Sequence, residues 1–162
     1  MNLQDLKKQI SYQWRVQSFS QNYPSAQCVA YIDARDVMNI LDEVCGAENW
    51  QDDYKLIDGK LIAGIGIFNK ELQQWVWKWD TGNESNIEKE KGQMSDTFKR
   101  AGVKWGIGRF LYDLPIKTVK ANAIKDSGQV KQANKVYDKF PFVIDDTGKR
   151  VYDLTKHINL LK

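Results

Sequence analysis

The sequence predicts an α+β fold in which a three- to four-stranded antiparallel β-sheet packs against a long basic helix. Two changes in the spacing of apolar residues lead to this prediction. After Gly46 the spacing changes from the helical period of about 3.6 to the strand period of 2. Further along, Met94, Phe98, Ala101 and Trp105 recur at helical spacing. The middle of the chain therefore reads as a strand meander followed by a long helix.

The N-terminal segment is predicted to form a helix, a loop and a short strand. Leu3, Leu6 and Ile10 recur at helical spacing, which predicts an amphipathic helix over residues 2–14. A polar loop follows through Pro24, and the apolar run of residues 28–32 predicts a strand.

The next helix has clear start and stop signals. Asp33 is a good N-cap, with Asp36 three residues later, and Ile32 and Val37 occupy the positions of a hydrophobic staple. The apolar face continues to residue 44, and Gly46 is typical of the position after the last helical residue. We therefore predict a helix between Asp33 and Gly46.

Three strand patterns form the predicted meander. Residues 50–57 and 60–68 flank the pair Asp58 and Gly59, a strong signal for a two-residue hairpin turn. A second turn at residues 69–71 leads into the strand pattern of residues 74–80. These strands are close in sequence and are expected to pair in order.

The remaining segments are a long helix, a connector and a hairpin within one predicted domain. The helix is predicted over residues 88–108, and Pro115 prevents a helical continuation. A polar, basic connector spans 117–135, and residues 140–144 and 150–154 read as a hairpin around a turn at 145–148. With 162 residues the chain fits a single domain, 1–162, with its core in residues 3–114.

Positive charge is concentrated in and after the long helix. Residues 99–125 contain seven cations and one acid, whereas residues 1–60 contain six cations and nine acids. On a helix, Arg100 and Lys104 project from one flank of the apolar stripe and Lys99 from the other. An anionic partner such as nucleic acid is the favoured interpretation, with a merely solvated face or an acidic protein partner left open.

Trp75, Trp77 and Trp79 alternate along one strand and therefore point to one face of the sheet. Aromatic side chains on a sheet can stack the bases of single-stranded nucleic acid. A sheet face covered by helices also needs large apolar residues. We favour core packing over base stacking for these three indoles.

Catalytic and metal-binding patterns are weak in this sequence. Two cysteines and one histidine are far apart, and we expect Cys28 and Cys45 to be small buried side chains. The pairs Asp52–Asp53 and Asp145–Asp146 leave a metal-dependent nuclease as an alternative, although adjacent strand residues point to opposite faces. We expect a non-enzymatic protein without a cofactor, soluble and cytoplasmic, since no apolar run is long enough to span a membrane.

Two motifs in a fixed order give the chain a resemblance to a known family. The first is Tyr31-Ile-Asp33, followed by the capped helix that leads to Gly46 and Trp50. The second is the segment Asp96-Thr-Phe-Lys-Arg-Ala101. In these features residues 3–114 resemble the Rad52 superfamily of single-strand annealing proteins, most closely its small phage and bacterial members of the Sak type.

The resemblance implies a β-β-β-α core, assembly into a ring or helical filament, and a groove that binds single-stranded DNA through its phosphates without nucleotide hydrolysis. It thereby implies ATP-independent annealing in homologous recombination and DNA repair within a bacterial host cell. A single-strand binding protein or an exonuclease is an implied protein partner. The DNA-binding candidates at or near family positions are Lys99, Arg100, Lys104, Arg35, Lys70, Lys89 and Lys91. Arg109 is a further candidate because it extends the cationic strip beyond the helix.

Overall fold

The computed structural model describes residues 1–82, 89–125 and 141–161, and at residues 89–91 it describes the backbone alone. The chain divides into two compact units. The first unit contains Met1–Ser11 and Ile32–Asp113, and the second contains Tyr12–Tyr31 and Leu114–Lys162. The single domain predicted for 1–162 stays a prediction.

The α+β class predicted from the sequence is confirmed, with two three-stranded antiparallel sheets. In chain order the elements are a 3₁₀ helix Leu3–Lys7, β1 Gln13–Phe19, β2 Ser25–Tyr31, α1 Ala34–Cys45, β3 Trp50–Ile57, β4 Lys60–Asn69, β5 Gln74–Thr81, α2 Lys89–Lys104, a 3₁₀ helix Arg109–Asp113, β6 Lys117–Lys120 and α3 Leu154–Leu160. Within the described ranges, the helices are all too short or too polar to cross a membrane.

The sheet of the first unit is the predicted meander, with strand order β3-β4-β5. The first hairpin turns at Asp58 and Gly59, whose φ angles of 51° and 76° are both positive, as a tight two-residue turn requires. The second turn is held by the Asn69 side chain, which accepts a hydrogen bond of 2.9 Å from the Leu72 amide. Local turn chemistry therefore sets the register of all three strands.

Helices α1 and α2 belong to the same unit, and α2 packs on one face of this sheet. Asp33 and Asp36 form a reciprocal capping box at the start of α1, as predicted, and Gly46 follows its last residue with a φ of 87°. On the sheet, Ile65 and Ile67 are buried under α2. The Trp105 indole donates a 2.9 Å hydrogen bond to the Ile65 carbonyl beneath it.

Helix α2 ends at Lys104, four residues earlier than predicted. Gly106, with a φ of 102°, occupies the left-handed position that follows a helix. The Ile107 amide donates to the Gly102 carbonyl at 3.0 Å and the Gly106 amide to the Val103 carbonyl at 2.9 Å. This pair of bonds is a Schellman motif, which satisfies carbonyls at the helix end and directs the chain away from the helix axis.

The second unit contains a sheet that the sequence interpretation did not predict. Its strand order is β1-β2-β6, and its core includes Trp14, Cys28, Val119 and Ile158. The predicted helix over residues 2–14 is wrong beyond Lys7, because residues from Gln13 onward pair with β2 instead. Pairing along six residues of β2 outweighs a helical period supported by only three apolar side chains.

Two further predictions change in this unit. The connector predicted over 117–135 begins with strand β6, since Val119 is buried and pairs with Ala26 of β2; residues 126–135 lie outside the described range. The C-terminal hairpin keeps its turn and a bridge between Ile144 and Arg150. Its second arm is shorter than predicted, because Asp153 caps helix α3 by accepting a 3.0 Å bond from the Lys156 amide.

Candidate nucleic-acid interface

The exposed flank of α2 carries a row of three charged residues one helical turn apart. Asp96, Arg100 and Lys104 occupy positions i, i+4 and i+8, so their side chains share a flank. Arg100 Nε lies 3.3 Å from Asp96 Oδ2, and the two side chains are 40% and 39% exposed. Lys104 is exposed. One acid therefore partly neutralises Arg100, while the row stays accessible to solvent.

Lys99 projects from α2 toward the start of α1. Its ammonium donates a 3.3 Å hydrogen bond to the carbonyl of Ile32, the residue before the Asp33 cap. The side chain is half-buried there and ties the two helices together. An ammonium has three donors, so this contact leaves it donors for a phosphate oxygen. Arg35, the predicted site residue on α1, is exposed three residues after that carbonyl.

Two cationic side chains, those of Arg109 and Lys78, meet at the C-terminal end of α2, where Lys104 is the last helical residue. Arg109 donates from Nε to the Val103 carbonyl at 2.8 Å and from a terminal guanidinium nitrogen to the Lys104 carbonyl at 3.0 Å. The Lys78 ammonium lies 3.4 Å from the same Lys104 carbonyl and 4.5 Å from the centroid of the Trp105 ring. Positive charge at this end interacts favourably with the helix dipole, so the cluster is stabilised where it stands.

Lys78 is a member of this cluster that the sequence interpretation did not select. The signal was the alternation of β5: if Trp77 and Trp79 point to one face, then Lys78 points to the other. The other face is the one that packs against α2. A lysine on a helix-facing strand position needs a polar or aromatic partner, and the end of α2 supplies both.

Of the remaining predicted site residues, one lies in a turn of the sheet and two lie at the start of α2. Lys70 is exposed in the turn between β4 and β5. Lys89 and Lys91 lie in the first turn of α2, and their side chains are outside the described residues.

The three tryptophans of β5 lie on the sheet face opposite α2, so the favoured interpretation of core packing beneath the helices is wrong. Trp77 pairs with Gly66 and Trp79 with Gly64, whereas the helix-facing positions of β4 are the alternate ones. Trp77 and Trp79 are half-buried and Trp75 is 37% exposed. Of the described helices, α2 covers the other face.

The two aspartate pairs weighed for metal binding lie in strand β3 and in the turn at residues 145–148. Asp52 pairs with Ile65 and Asp53 with Gly64, so the two carboxylates point to opposite faces, as expected. Asp145 accepts hydrogen bonds from the turn residue Thr147, and these lower the pKa of its carboxyl group. Among the described residues no three acids, histidines or cysteines form a group suited to a metal ion.

Both cysteines are free and buried, as predicted. Burial raises the pKa of the Cys28 thiol to about 11, and it also raises the pKa of Cys45. Their thiols therefore stay protonated and unreactive at neutral pH.

Comparison with known proteins identifies a family model that matches most of the chain. Residues 2–64 and 56–130 match the model described as Rad52/22 family double-strand break repair protein. These ranges include β3, β4, β5 and α2, and with them the cations of the α2 flank. No solved structure is significantly similar to the chain.

Two curated relatives carry the same name in two bacterial species. The chain is 30% identical over 124 residues to the single-stranded DNA-binding protein DdrA of Deinococcus radiodurans, covering 71% of this chain and 58% of the relative. It is 30% identical over 134 residues to DdrA of Deinococcus deserti, covering 77% of this chain and 65% of the relative. The chain thus spans less than two-thirds of the length of these relatives. The resemblance to phage members stays a prediction.

Proposed function

Since this chain belongs to the Rad52/22 family of double-strand break repair proteins, we propose that it binds single-stranded DNA and anneals complementary strands in recombination and repair. Two relatives whose name describes single-stranded DNA binding support the substrate class. The observation that carries the proposal is the exposed cationic flank of α2, formed by Arg100 and Lys104 and extended by Arg109. Lys99 supplies a further donor at the start of α1.

The pair between Arg100 and Asp96 is compatible with phosphate binding. Both side chains are more than a third exposed, and such surface pairs contribute about 0–1 kcal/mol because water screens them. A phosphate oxygen offers the guanidinium a second charged acceptor, and the planar guanidinium can form two parallel hydrogen bonds with it. Arg100 therefore needs little free energy to exchange its intramolecular partner for DNA.

Annealing requires binding and positioning rather than bond chemistry. Formation of a duplex is downhill by about 1.4 kcal/mol for each base-pair step. Phosphate repulsion, internal hairpins and the search for register make it slow. A cationic surface that holds the backbone lowers the repulsion, keeps the strand extended and leaves the base edges free to pair. The proposed activity accordingly needs no catalytic residue, metal ion or nucleotide cofactor.

The proposed function includes partners beyond DNA. We propose that copies of the chain assemble into a ring or helical filament, because one α2 flank offers only a few phosphate contacts and annealing needs a strand held over many nucleotides. A single-strand binding protein or an exonuclease of a bacterial host is the proposed source of the strand. These partners would be met in the bacterial cytoplasm.

The central experiment measures annealing of two complementary labelled oligonucleotides without ATP. Wild-type protein is expected to accelerate the loss of donor fluorescence, and Lys99→Ala with Arg100→Ala to reduce this acceleration. The matched control is Lys149→Ala with Lys156→Ala, which removes the same charge from exposed positions of the second unit. Equal loss in both double variants, or no acceleration by wild type, would contradict the proposal.

Salt dependence supplies an independent check on the same variants. Each phosphate neutralised on a single strand contributes about −0.7 to the slope of log affinity against log salt concentration. Removing two phosphate contacts from α2 should therefore make the slope shallower by about 1.4. Degradation of the strands in magnesium would instead favour the nuclease alternative.

A further inference from the structure

The sheet of the first unit has a second face, which we call the tryptophan face. It consists of Trp75, Trp77 and Trp79 of β5, of which Trp77 lies across from Gly66 and Trp79 across from Gly64 of β4. A Cβ atom built at either glycine would lie 2.6 Å from the indole opposite it. The indoles of Trp77 and Trp79 therefore lie flat on the central strand in space that only glycine leaves open.

Flat indoles present ring faces to the outside of the sheet rather than ring edges. Trp77 and Trp79 are stacked, with ring centroids 5.4 Å apart and planes inclined by 22°. Phe68 of β4 extends the row by an edge contact with Trp75, at 5.5 Å between centroids. Glycine in a central strand weakens the strand by removing a side chain. The presence of Gly64 and Gly66 in this central strand is explained by the space that they leave for the indoles.

The neighbouring row on β3 is polar and charged. Gln51, Asp53 and Lys55 share the tryptophan face, because they pair with face residues of β4, and all three are exposed. The Lys55 ammonium lies 4.4 Å from the centroid of the Trp79 ring. The core of a protein–protein interface is depleted of charged residues, so this mixed surface does not resemble one. An aromatic row beside a lysine matches a polymer with stacking bases and an anionic backbone.

We propose that the tryptophan face stacks unpaired bases of a single strand, as a second DNA-binding surface on the opposite side of the sheet from α2. The proposal rests on the proposed function, because it assumes that the chain binds single strands. Trp75 and Trp77 take the bases, and Lys55 beside Trp79 contacts a phosphate. Asp53 lies in the same row and disfavours a phosphate at its own position, so the backbone passes at Lys55.

The two surfaces would hold DNA by different physical means. The α2 flank holds phosphates, and its affinity falls steeply with salt. Base stacking on an indole is sequence-tolerant and depends little on salt. Two surfaces on opposite sides of one sheet can each hold a strand, which brings a second strand to the protein before pairing.

The test uses an oligothymidylate that carries one 5-iodouracil, a base that forms photochemical crosslinks to an aromatic side chain stacked on it. Irradiation of the wild-type complex followed by peptide mapping is expected to place crosslinks at residues 74–80. This measurement needs no variant and so does not depend on whether a substituted protein folds. Crosslinks confined to other segments would overturn the proposal.

The second part of the test measures the affinity of variants for the same oligonucleotide. Trp75→Leu, at the more exposed indole, should weaken affinity about five- to tenfold, the loss of one stacked base, without changing the salt slope. The control is Tyr152→Leu, an aromatic residue of the second unit that is 85% exposed, and it should bind as wild type does. Unchanged affinity of Trp75→Leu would contradict base stacking.

The remaining outcomes separate this proposal from its premise. If wild-type protein binds no oligonucleotide at low salt, the proposed function and this inference both fail. If it binds, and Lys99→Ala with Arg100→Ala weakens it while residues 74–80 form no crosslinks, this inference alone fails. If Trp75→Leu lowers the oligomer mass in sedimentation without DNA, the face binds a second copy of the chain and the inference is overturned.

Discussion

The ammonium of Lys78 lies 4.5 Å from the centroid of the Trp105 ring, and this contact joins the meander to the end of the helix that follows it. The same ammonium lies 3.4 Å from the Lys104 carbonyl. Sheet and helix are thus connected beside the residues proposed to contact phosphate. The Lys78 ammonium therefore does two things: it stabilises the end of the helix, and it adds positive charge there.

Replacing Lys78 should therefore reduce stability. Lys78→Gln removes the cation above the ring and should lower the free energy of unfolding by about 0.5–1 kcal/mol. Urea denaturation measures the difference. Lys70→Gln is the control, because Lys70 is exposed in a turn and its substitution should stay within about 0.5 kcal/mol of wild type. Equal effects of the two substitutions would show that the ring contact contributes nothing.

Removing the acid beside Arg100 should strengthen DNA binding. Asp96→Asn deletes the negative charge 3.3 Å from the guanidinium and leaves Arg100 more available to phosphate. The expected gain in oligonucleotide affinity is about two- to fivefold, as for the loss of an exposed ion pair. Fluorescence anisotropy at fixed salt measures it.

The control for that experiment is Asp146→Asn, which breaks the exposed pair with Lys120 in the second unit. It makes the same change in net charge, but in the other unit. A gain as large in Asp146→Asn would mean that total charge, rather than release of Arg100, determines the affinity.

The parts of the fold that the sequence predicted are those governed by neighbours along the chain. The capping box of Asp33 and Asp36 and the turn at Asp58 and Gly59 act within a few residues, and both were predicted at the right place. The end of α2 was readable too, because Gly106 followed by apolar Ile107 is typical of a Schellman motif. We placed the end of the helix too late because its apolar stripe continues to Trp105, beyond the last helical residue Lys104.

The sheet of the second unit was missed because its strands meet across a long sequence separation. Strand β6 pairs Lys117 with Cys28, and nothing local to either residue indicates this pairing. For the candidate site, clustering of charge along the chain identified Arg100, Lys104 and Arg109. Lys78 lies 26 residues before Lys104 in the sequence, and only the folding of β5 against α2 brings it to the end of that helix. Counting charges along the chain therefore does not detect it.

Filling the space beneath an indole should destabilise the first unit. Gly66→Ala places a Cβ 2.6 Å from the Trp77 ring, so the ring or the strand must move. We expect a loss of about 1–3 kcal/mol in the free energy of unfolding, as for an overpacked site. This loss should be larger than the small stabilisation that alanine normally gives in place of glycine in a strand.

Gly59→Asn is the matched control for Gly66→Ala. Its added Cβ meets no atom within 4 Å, and asparagine tolerates the φ of 76° at that turn position. Chemical denaturation should therefore separate the two variants clearly. A Gly66→Ala protein as stable as wild type would mean that the indole has room to move.

The buried thiol of Cys28 should make stability depend on pH in the alkaline range. Burial raises its pKa from 9.0 to about 11, so between these values the unfolded chain loses the thiol proton while the folded chain keeps it. Stability from this group is complete below pH 9, decreases as the pH rises toward 11, and changes no further above it. Cys28→Ala should therefore lose less stability than wild type between pH 9.0 and about 11. The other titrating groups are common to both proteins, so thermal unfolding compared across this range isolates the thiol. Parallel curves would contradict the raised pKa, as would rapid reaction of the folded Cys28 thiol with a disulfide reagent at neutral pH.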